Sequence, residues 1–152
     1  MIKSVHTGKL IGVNNNTNDR NEQLDQWNDN QNQLCHHQWY FVPLQGQEKD
    51  RVYIIQSIYN RKVFDVSRGN VSNGNRVQQS DMVMNDVNQQ FRLIAVSNED
   101  SCLIQSLATG KVLDAKTQEF ITQVDLNMNI NELVIDRNKR LWQLIPFNIS
   151  KG

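Results

Sequence analysis

The run Cys35-His36-His37 places the most reactive side chains of this sequence together, a thiol beside two imidazoles. These residue types can bind a metal ion or form a nucleophile–base pair. Successive side chains of a strand point to opposite faces, so a strand would separate the three groups. Cys102 lies far away, and two cysteines cannot form a disulfide framework or a four-ligand zinc site. We therefore predict two buried or half-buried thiols, no metal site and no cofactor.

Motifs of known enzyme classes are missing from the sequence. It contains no Gly-x-Ser-x-Gly, no His-Glu-x-x-His and no phosphate-binding glycine loop. Apart from Cys35, no serine or cysteine accompanies a histidine in a recognised arrangement. We therefore expect a protein that is not an enzyme.

The composition is dominated by side-chain amides, with about 20 Asn and 16 Gln among 152 residues. Disordered polar tracts have similar compositions, but the apolar residues of this chain recur in short, evenly placed clusters that favour a folded domain. An amide-rich surface suits hydrogen bonding to neutral polar ligands, and it equally suits a surface that is merely hydrated.

Charge and length limit the possible partners. The chain carries 16 basic and 16 acidic residues, so it lacks the basic excess of a nucleic-acid-binding surface. No apolar run approaches the 18 residues of a membrane-spanning helix, so we expect no membrane insertion by this chain. The N-terminus shows no signal peptide. We expect a protein that acts in the cytoplasm, leaves by a route without a signal, or is already processed.

Three segments of the sequence repeat one another: residues 2–13, 55–66 and 104–115 align without gaps. Each begins with Ile-polar-Ser, holds a Lys after a turn, and ends on two apolar residues, Asp or Gly, and a small or apolar residue. A strand is predicted to begin eleven residues after each segment, and each repeat then closes on an aromatic residue. These strands are 24–27, 77–80 and 126–129, and the closing aromatic residues are Trp39, Phe91 and Trp142.

The local signals are those of short strands. Residues 52–58 and 102–107 are rich in β-branched or other apolar residues and are bounded by polar turns. Residues 59–62 and 108–111 are predicted hairpin turns, in which Asn or Gly tolerates a positive φ. One repeat cannot bury its apolar side alone, whereas three about an axis can. We predict one closed all-β domain, residues 1–152, with repeats at roughly 1–49, 50–99 and 100–152.

The middle repeat carries three motifs, Val63-Phe64-Asp65-Val66, Asn73-Gly74-Asn75-Arg76-Val77-Gln78 and Asn88-Gln89-Gln90-Phe91. These motifs resemble those of the ricin B-chain-like lectins, which are β-trefoils. The family's closing Gln-x-Trp appears here as His37-Gln38-Trp39, Gln89-Gln90-Phe91 and Arg140-Leu141-Trp142. The resemblance implies a β-trefoil in which the three closing aromatic residues anchor the core.

The resemblance also implies one shallow sugar site in each repeat, with an Asp that accepts hydroxyl hydrogen bonds, an aromatic ring that stacks on the sugar, and amides at the rim. The middle repeat keeps its polar set, but Ser80 stands at the stacking position, where Tyr59 or Met82 would have to replace the ring. The third repeat has Asp114, the first has Trp27, and Gly12 stands in the first where the Asp belongs. The implied carbohydrate-binding residues are Asp65, Gln78, Asn88, Gln89, Asp114, Asn127, Asp25 and Trp27.

Two functions remain open on the sequence. The first is a lectin that binds glycans or glycoproteins weakly and multivalently, with galactose-type sugars favoured, as the binding component of a toxin or agglutinin assembly. The second is a protein-binding β-trefoil, such as a protease inhibitor or scaffold, whose sugar sites have decayed. In that case Asp65 and Asp114 would only cap turns.

Overall fold

The structure, a computed structural model, describes residues 1–13, 24–28, 36–44, 46, 50–66, 76–96, 100–116, 121–126 and 137–146. This part of the chain is built mainly of β-strands and includes a short 3₁₀ helix at Val87–Gln89. The strands are β1 Ile2–Ser4, β2 Leu10–Gly12, β3 Asp25–Trp27, β4 Trp39–Pro43, β5 Val52–Ser57, β6 Val63–Val66, β7 Val77–Ser80, β8 Phe91–Ala95, β9 Cys102–Ser106, β10 Val112–Asp114, β11 Thr122–Val124 and β12 Trp142–Leu144.

The strands repeat one arrangement three times. Each repeat contributes an antiparallel hairpin, β2–β3, β6–β7 or β10–β11. Neighbouring repeats are joined by the ladders β4–β5, β8–β9 and β12–β1. Among the described strands β4 pairs only with β5, so the sheet is open between β1 and β4, where we had predicted closure. The predicted β-trefoil architecture is confirmed.

Three backbone hydrogen bonds connect the repeats in a ring at the pseudo-threefold axis. The amide of Leu24 donates to the carbonyl of Val77 at 2.9 Å, Val77 donates to Ile121 at 2.9 Å, and Ile121 donates to Leu24 at 3.1 Å. All three side chains are fully buried. Because each residue is both donor and acceptor, no backbone group of this ring is left unpaired in the core.

The ring corrects one sequence prediction. The eleven-residue spacing that leads to Leu24 and Val77 does not hold in the third repeat, where Ile121 comes six residues after Ala115. The third strand is Thr122–Val124, not 126–129: Leu126 follows the strand, and 127–129 lie outside the described residues. Ile121 supplies the buried apolar residue that the axis requires, so the loop before β11 is shorter than the corresponding loops of the other two repeats.

The turn that follows the first strand of each repeat is confirmed as predicted and is held by a serine. The Ser57 hydroxyl accepts the amides of Tyr59 at 3.1 Å and Asn60 at 3.4 Å. Ser4 and Ser106 act in the same way. The residue with positive φ is Arg61 in the middle repeat, not Asn60, and it corresponds to Gly8 and Gly110.

The residue immediately before each positive-φ position connects the turn to a buried glutamine of the hairpin. In the middle repeat the Asn60 side chain accepts the Lys62 amide at 3.0 Å and donates to Gln79 Oε1 at 2.7 Å. The same bond to glutamine recurs from Thr7 to Gln26 and from Thr109 to Gln123. Sequence analysis did not find these glutamines, although each follows the axis residue by two positions.

The closing aromatic residues are buried, as predicted. Trp39 Nε1 donates to the Ile11 carbonyl at 3.0 Å, and Trp142 Nε1 donates to the Leu113 carbonyl at 3.2 Å. Phe91 has no such donor, and the residue that corresponds to Ile11 and Leu113 is the larger Phe64. The Phe64 ring packs edge-on against Phe91, with 5.9 Å between the centroids, and also against Trp39, with 4.7 Å. At these corresponding positions each tryptophan is combined with a smaller residue, Ile11 or Leu113, and Phe91 is combined with the larger Phe64.

This compensation predicts coupled stability effects. Phe91→Trp alone should lower the free energy of unfolding by roughly 1–3 kcal/mol, because the larger ring overfills the core. Phe64→Leu alone should lower it by roughly 1–2 kcal/mol through the cavity that it leaves. Urea unfolding of the double variant should show a loss smaller than the sum by about 1 kcal/mol or more. Strictly additive losses would contradict the compensation.

Candidate functional site

The β6–β7 hairpin brings polar side chains to one face of the middle repeat. In its register Asp65 lies opposite Gln78, and Ser80 follows two residues later on the same face. Phe64 and Gln79 point the other way, into the core, where both are fully buried. Strand alternation therefore separates the core residues of this hairpin from the predicted sugar-binding residues.

The Gln89 side chain holds the Asp65 carboxylate in place. Its Nε2 donates to Asp65 Oδ2 at 3.0 Å and to the Asp81 carbonyl at 2.8 Å, and its Oε1 accepts the Val83 amide at 2.9 Å. Gln89 is only 1% exposed, so these bonds satisfy a buried amide. One side chain therefore positions both the carboxylate and the loop that begins at Asp81.

Gln89 is itself placed by a short 3₁₀ helix. Asp86 caps this helix, because its Oδ1 accepts the Asn88 amide at 3.0 Å. Asn88 and Gln78 are half-buried at the rim of the site. The structure therefore brings the four predicted residues of the middle repeat, Asp65, Gln78, Asn88 and Gln89, into one cluster.

Asp65 is 8% exposed, and burial raises the pKa of its carboxyl above the usual 3.8. The hydrogen bond from Gln89 opposes this rise in pKa, the negative charge of Asp86 adds to it, and a hydrogen bond from Ser80 opposes it. The ionised form of this partly desolvated group accepts hydrogen bonds and gains from hydroxyl donors.

The position of the expected stacking ring is polar in this repeat. Ser80, at that position, hydrogen-bonds to Asp65. Tyr59, one of the two proposed substitutes, packs edge-on against His36 with 4.2 Å between the ring centroids. Met82, the other, is half exposed. Of these two candidates, the structure leaves Met82 as the available apolar surface.

In the third repeat the corresponding carboxylate binds its own turn. Asp114 Oδ1 accepts the Lys116 amide at 2.6 Å, which is a turn cap. Burial raises the pKa of Asp114, while the Lys116 hydrogen bond and the charges of Arg140, Lys139 and Lys116 oppose the rise. Thr122 lies opposite Asp114 in the register, where the sequence prediction had placed Asn127. Asn127 itself lies outside the described residues.

In the first repeat other side chains fill the space of the missing carboxylate. A Cβ added to Gly12 would lie 2.5 Å from His37 Cδ2 and 2.8 Å from Trp27 Cδ1. Trp27 is half-buried, with its ring centroid 6.1 Å from that of His37. Asp25 lies opposite Gly12 and is half-buried. The two rings thus occupy the place where the middle repeat has Asp65.

This packing predicts that glycine is needed at position 12. Gly12→Ala should lower the free energy of unfolding by roughly 1–3 kcal/mol, because the His37 ring must move out of a filled site. The matched background is the double variant Trp27→Ala, His37→Ala, which removes both rings and in which the same substitution should cost much less. An equal cost in both backgrounds, measured by urea unfolding, would assign the effect to the backbone instead of the two rings.

The pKa of Asp65 predicts a pH dependence of stability. Since folding raises this pKa, the folded state binds the proton more readily. The contribution of Asp65 to the free energy of unfolding therefore falls as pH rises from 3.8 through the folded pKa. Asp65→Asn cannot titrate and still accepts from Gln89. The free energy of unfolding of the wild type minus that of Asp65→Asn should therefore decrease over this range and level off by neutral pH. A difference that increases with pH would show a stabilised carboxylate and contradict the burial argument.

The thiol and imidazole candidates of the sequence are described only in part. Among the described residues, which omit Cys35, no three His, Cys, Asp or Glu side chains are grouped to hold a metal ion. Cys102 is buried as predicted, and burial raises the pKa of its thiol to about 11, so it stays protonated at neutral pH. No helix in the described part of the chain has the length and apolar character to span a membrane.

Comparison with known structures agrees with the trefoil. The designed threefold-symmetric protein ThreeFoil matches with a TM-score of 0.80 and 20% identity over 96% of both chains. A Polyporus squamosus lectin, solved with a human-type influenza-binding epitope, matches with a TM-score of 0.74 and 13% identity over 93% of this chain and 46% of its own. The Haemophilus ducreyi cytolethal distending toxin matches with a TM-score of 0.70 and 12% identity over 95% and 81%. No curated protein sequence matches this chain.

The sequence also matches a family model, described as ricin-type beta-trefoil lectin domain-like, over residues 35–126. The chain therefore belongs to this family, as its motifs predicted. The match spans the whole middle repeat, in which the Asp65 cluster lies. Membership in the family supports a carbohydrate-binding role.

Proposed function

We propose that this chain is a lectin whose principal site is the Asp65 cluster of the middle repeat, and that it binds sugars of the galactose type. The observation that carries the proposal is the Gln89 amide, which holds a desolvated carboxylate between two strands and beside the half-buried amides of Gln78 and Asn88. Burial has already removed most of the water from this carboxylate. A sugar hydroxyl that donates to it therefore has little water to displace.

The proposed site binds and does not catalyse. Glycoside hydrolysis requires two carboxyl groups that flank the scissile bond. Asp86, the acidic residue nearest to Gln89 in the sequence, accepts a backbone amide as a helix cap. Asp65 is held by Gln89 and Ser80, so its role is to accept hydrogen bonds.

A single shallow site of this kind is weak. A dissociation constant of 1 mM corresponds to only about 4 kcal/mol, and two linked sites gain on the order of 10²–10⁴ in avidity. We propose that several copies of the chain, each with its middle site, act together on glycans or glycoproteins, as the binding component of a toxin or agglutinin assembly. The structural match to the Haemophilus ducreyi toxin supports a fold suited to such a component.

The second candidate is a protein-binding trefoil with decayed sugar sites. The cap at Asp114 and the filled site at Gly12 favour it, because two of the three repeats no longer present a free carboxylate to a ligand. Lectin binding then depends on the middle repeat alone, so a substitution there distinguishes the two functions.

The deciding experiment is glycan binding by Asp65→Asn. A hydrogen bond to a charged group contributes roughly 1.5–3 kcal/mol, so this variant should bind its glycan about tenfold more weakly or worse, as read from a glycan array and a titration. Asp114→Asn is the matched control and should change binding little, because its carboxylate already caps a turn.

Two results would favour the protein-binding alternative. One is a purified wild-type protein that binds no glycan on the array. The other is glycan binding that survives Asp65→Asn unchanged while the variant loses stability, which would make Asp65 a structural residue.

A further inference from the structure

The loop after β7 exposes four apolar side chains beside the Asp65 cluster. Met84 is 86% exposed, Val83 54%, Met82 49% and Val87 45%. We call these four residues the apolar rim. The other large exposed apolar side chains of the described residues, Tyr40 and Leu144, lie on β4 and β12. Four exposed apolar side chains within six residues of one loop make this loop a candidate interaction surface.

The apolar rim is held in a fixed conformation. Lys62 Nζ binds Asp81 Oδ1 at 2.7 Å where the loop begins, and the amide of Asp86 donates to the Val83 carbonyl at 3.3 Å where it ends. Asn85 takes a positive φ of 63°, which turns the chain between them. A ligand that binds this loop therefore loses little free energy to ordering it.

The apolar rim and the carboxylate share one positioning residue. The Gln89 amide that binds Asp65 Oδ2 also binds the carbonyl of Asp81 and the amide of Val83, which flank Met82. Strand β7 itself offers Ser80 in place of a ring. The apolar surface at this site is thus supplied by the loop, and its distance from the carboxylate is set by Gln89.

The chemistry of the apolar rim selects a kind of ligand. Methionine and valine present flexible or branched aliphatic groups. These groups pack well on an alkyl chain, but they do not form the flat platform on which a sugar ring stacks. The charges of Asp65 and Asp86 disfavour an anionic ligand. A neutral ligand with hydroxyls at one end and an aliphatic group at the other fits both halves.

We propose that the middle site binds a neutral glycoside whose sugar contacts Asp65 and whose aliphatic aglycone packs on the apolar rim. The inference rests on the proposed lectin function and names its ligand class.

The test is a comparison of methyl and hexyl β-galactosides, with the matching β-glucosides, titrated into ¹⁵N-labelled protein. The hexyl glycoside should bind about tenfold more tightly than the methyl glycoside. The double variant Met82→Gln, Met84→Gln should reduce this preference to about twofold or less. The control Leu144→Gln, which removes an exposed apolar side chain on β12, should keep the full preference.

The outcomes separate the inference from the function on which it rests. Equal binding of methyl and hexyl glycosides, or a preference that survives the methionine substitutions, overturns the inference and leaves the lectin function. Hexyl glycoside binding that survives Asp65→Asn unchanged also overturns it, because the apolar group then binds without the sugar site. A protein that binds none of the four glycosides overturns both.

Discussion

The structure depends on the ring of backbone hydrogen bonds among Leu24, Val77 and Ile121. Val77 is the first residue of the second strand of its hairpin, and Leu24 and Ile121 come immediately before the second strands of theirs, so the ring ties the three hairpins together inside the core. It fixes the register of every hairpin, because a one-residue slip would turn the core residues outward. The sheet can remain unpaired between β1 and β4, since the ring supplies a connection among the repeats that does not pass through that junction.

From this register the site follows in short steps. With Val77 at the axis, Gln79 faces inward to the Asn60 side chain, and Gln78 faces outward opposite Asp65. The inward amide stabilises the turn of the hairpin, and the outward amide borders the carboxylate. Gln89 then completes the site from the next segment of the chain. A buried polar side chain on each side of the hairpin thus has a partner, as buried polar groups require.

Strand types, hairpin turns, closing aromatic residues and the grouping of Asp65, Gln78 and Gln89 were predictable from the sequence, because each depends on local spacing or on a motif. The third repeat was not, since a loop can change length without leaving a local signal. The recurrence of Gln26, Gln79 and Gln123 would have given the correct register, but a buried glutamine looks like a surface residue in a chain so rich in amides. The filling of the Gly12 site by His37 and Trp27 was also hidden, because that contact exists only after folding.

The three repeats show how a symmetric scaffold permits unequal sites. The axis ring, the serine turns and the buried glutamines recur in every repeat and support the fold. One position on the first strand of each hairpin takes no part in these recurring contacts. It holds Gly12, Asp65 or Asp114. At each of these places the residue that corresponds to Gln89 decides what happens: His37 fills the site, Gln89 holds a carboxylate at the surface of the hairpin, and Arg140 adds a positive charge beside a carboxylate that caps its own turn. The difference among the repeats therefore resides in one pair of positions, and among the described residues the pair of the middle repeat leaves a carboxylate whose side-chain hydrogen-bond partners, Gln89 and Ser80, are uncharged.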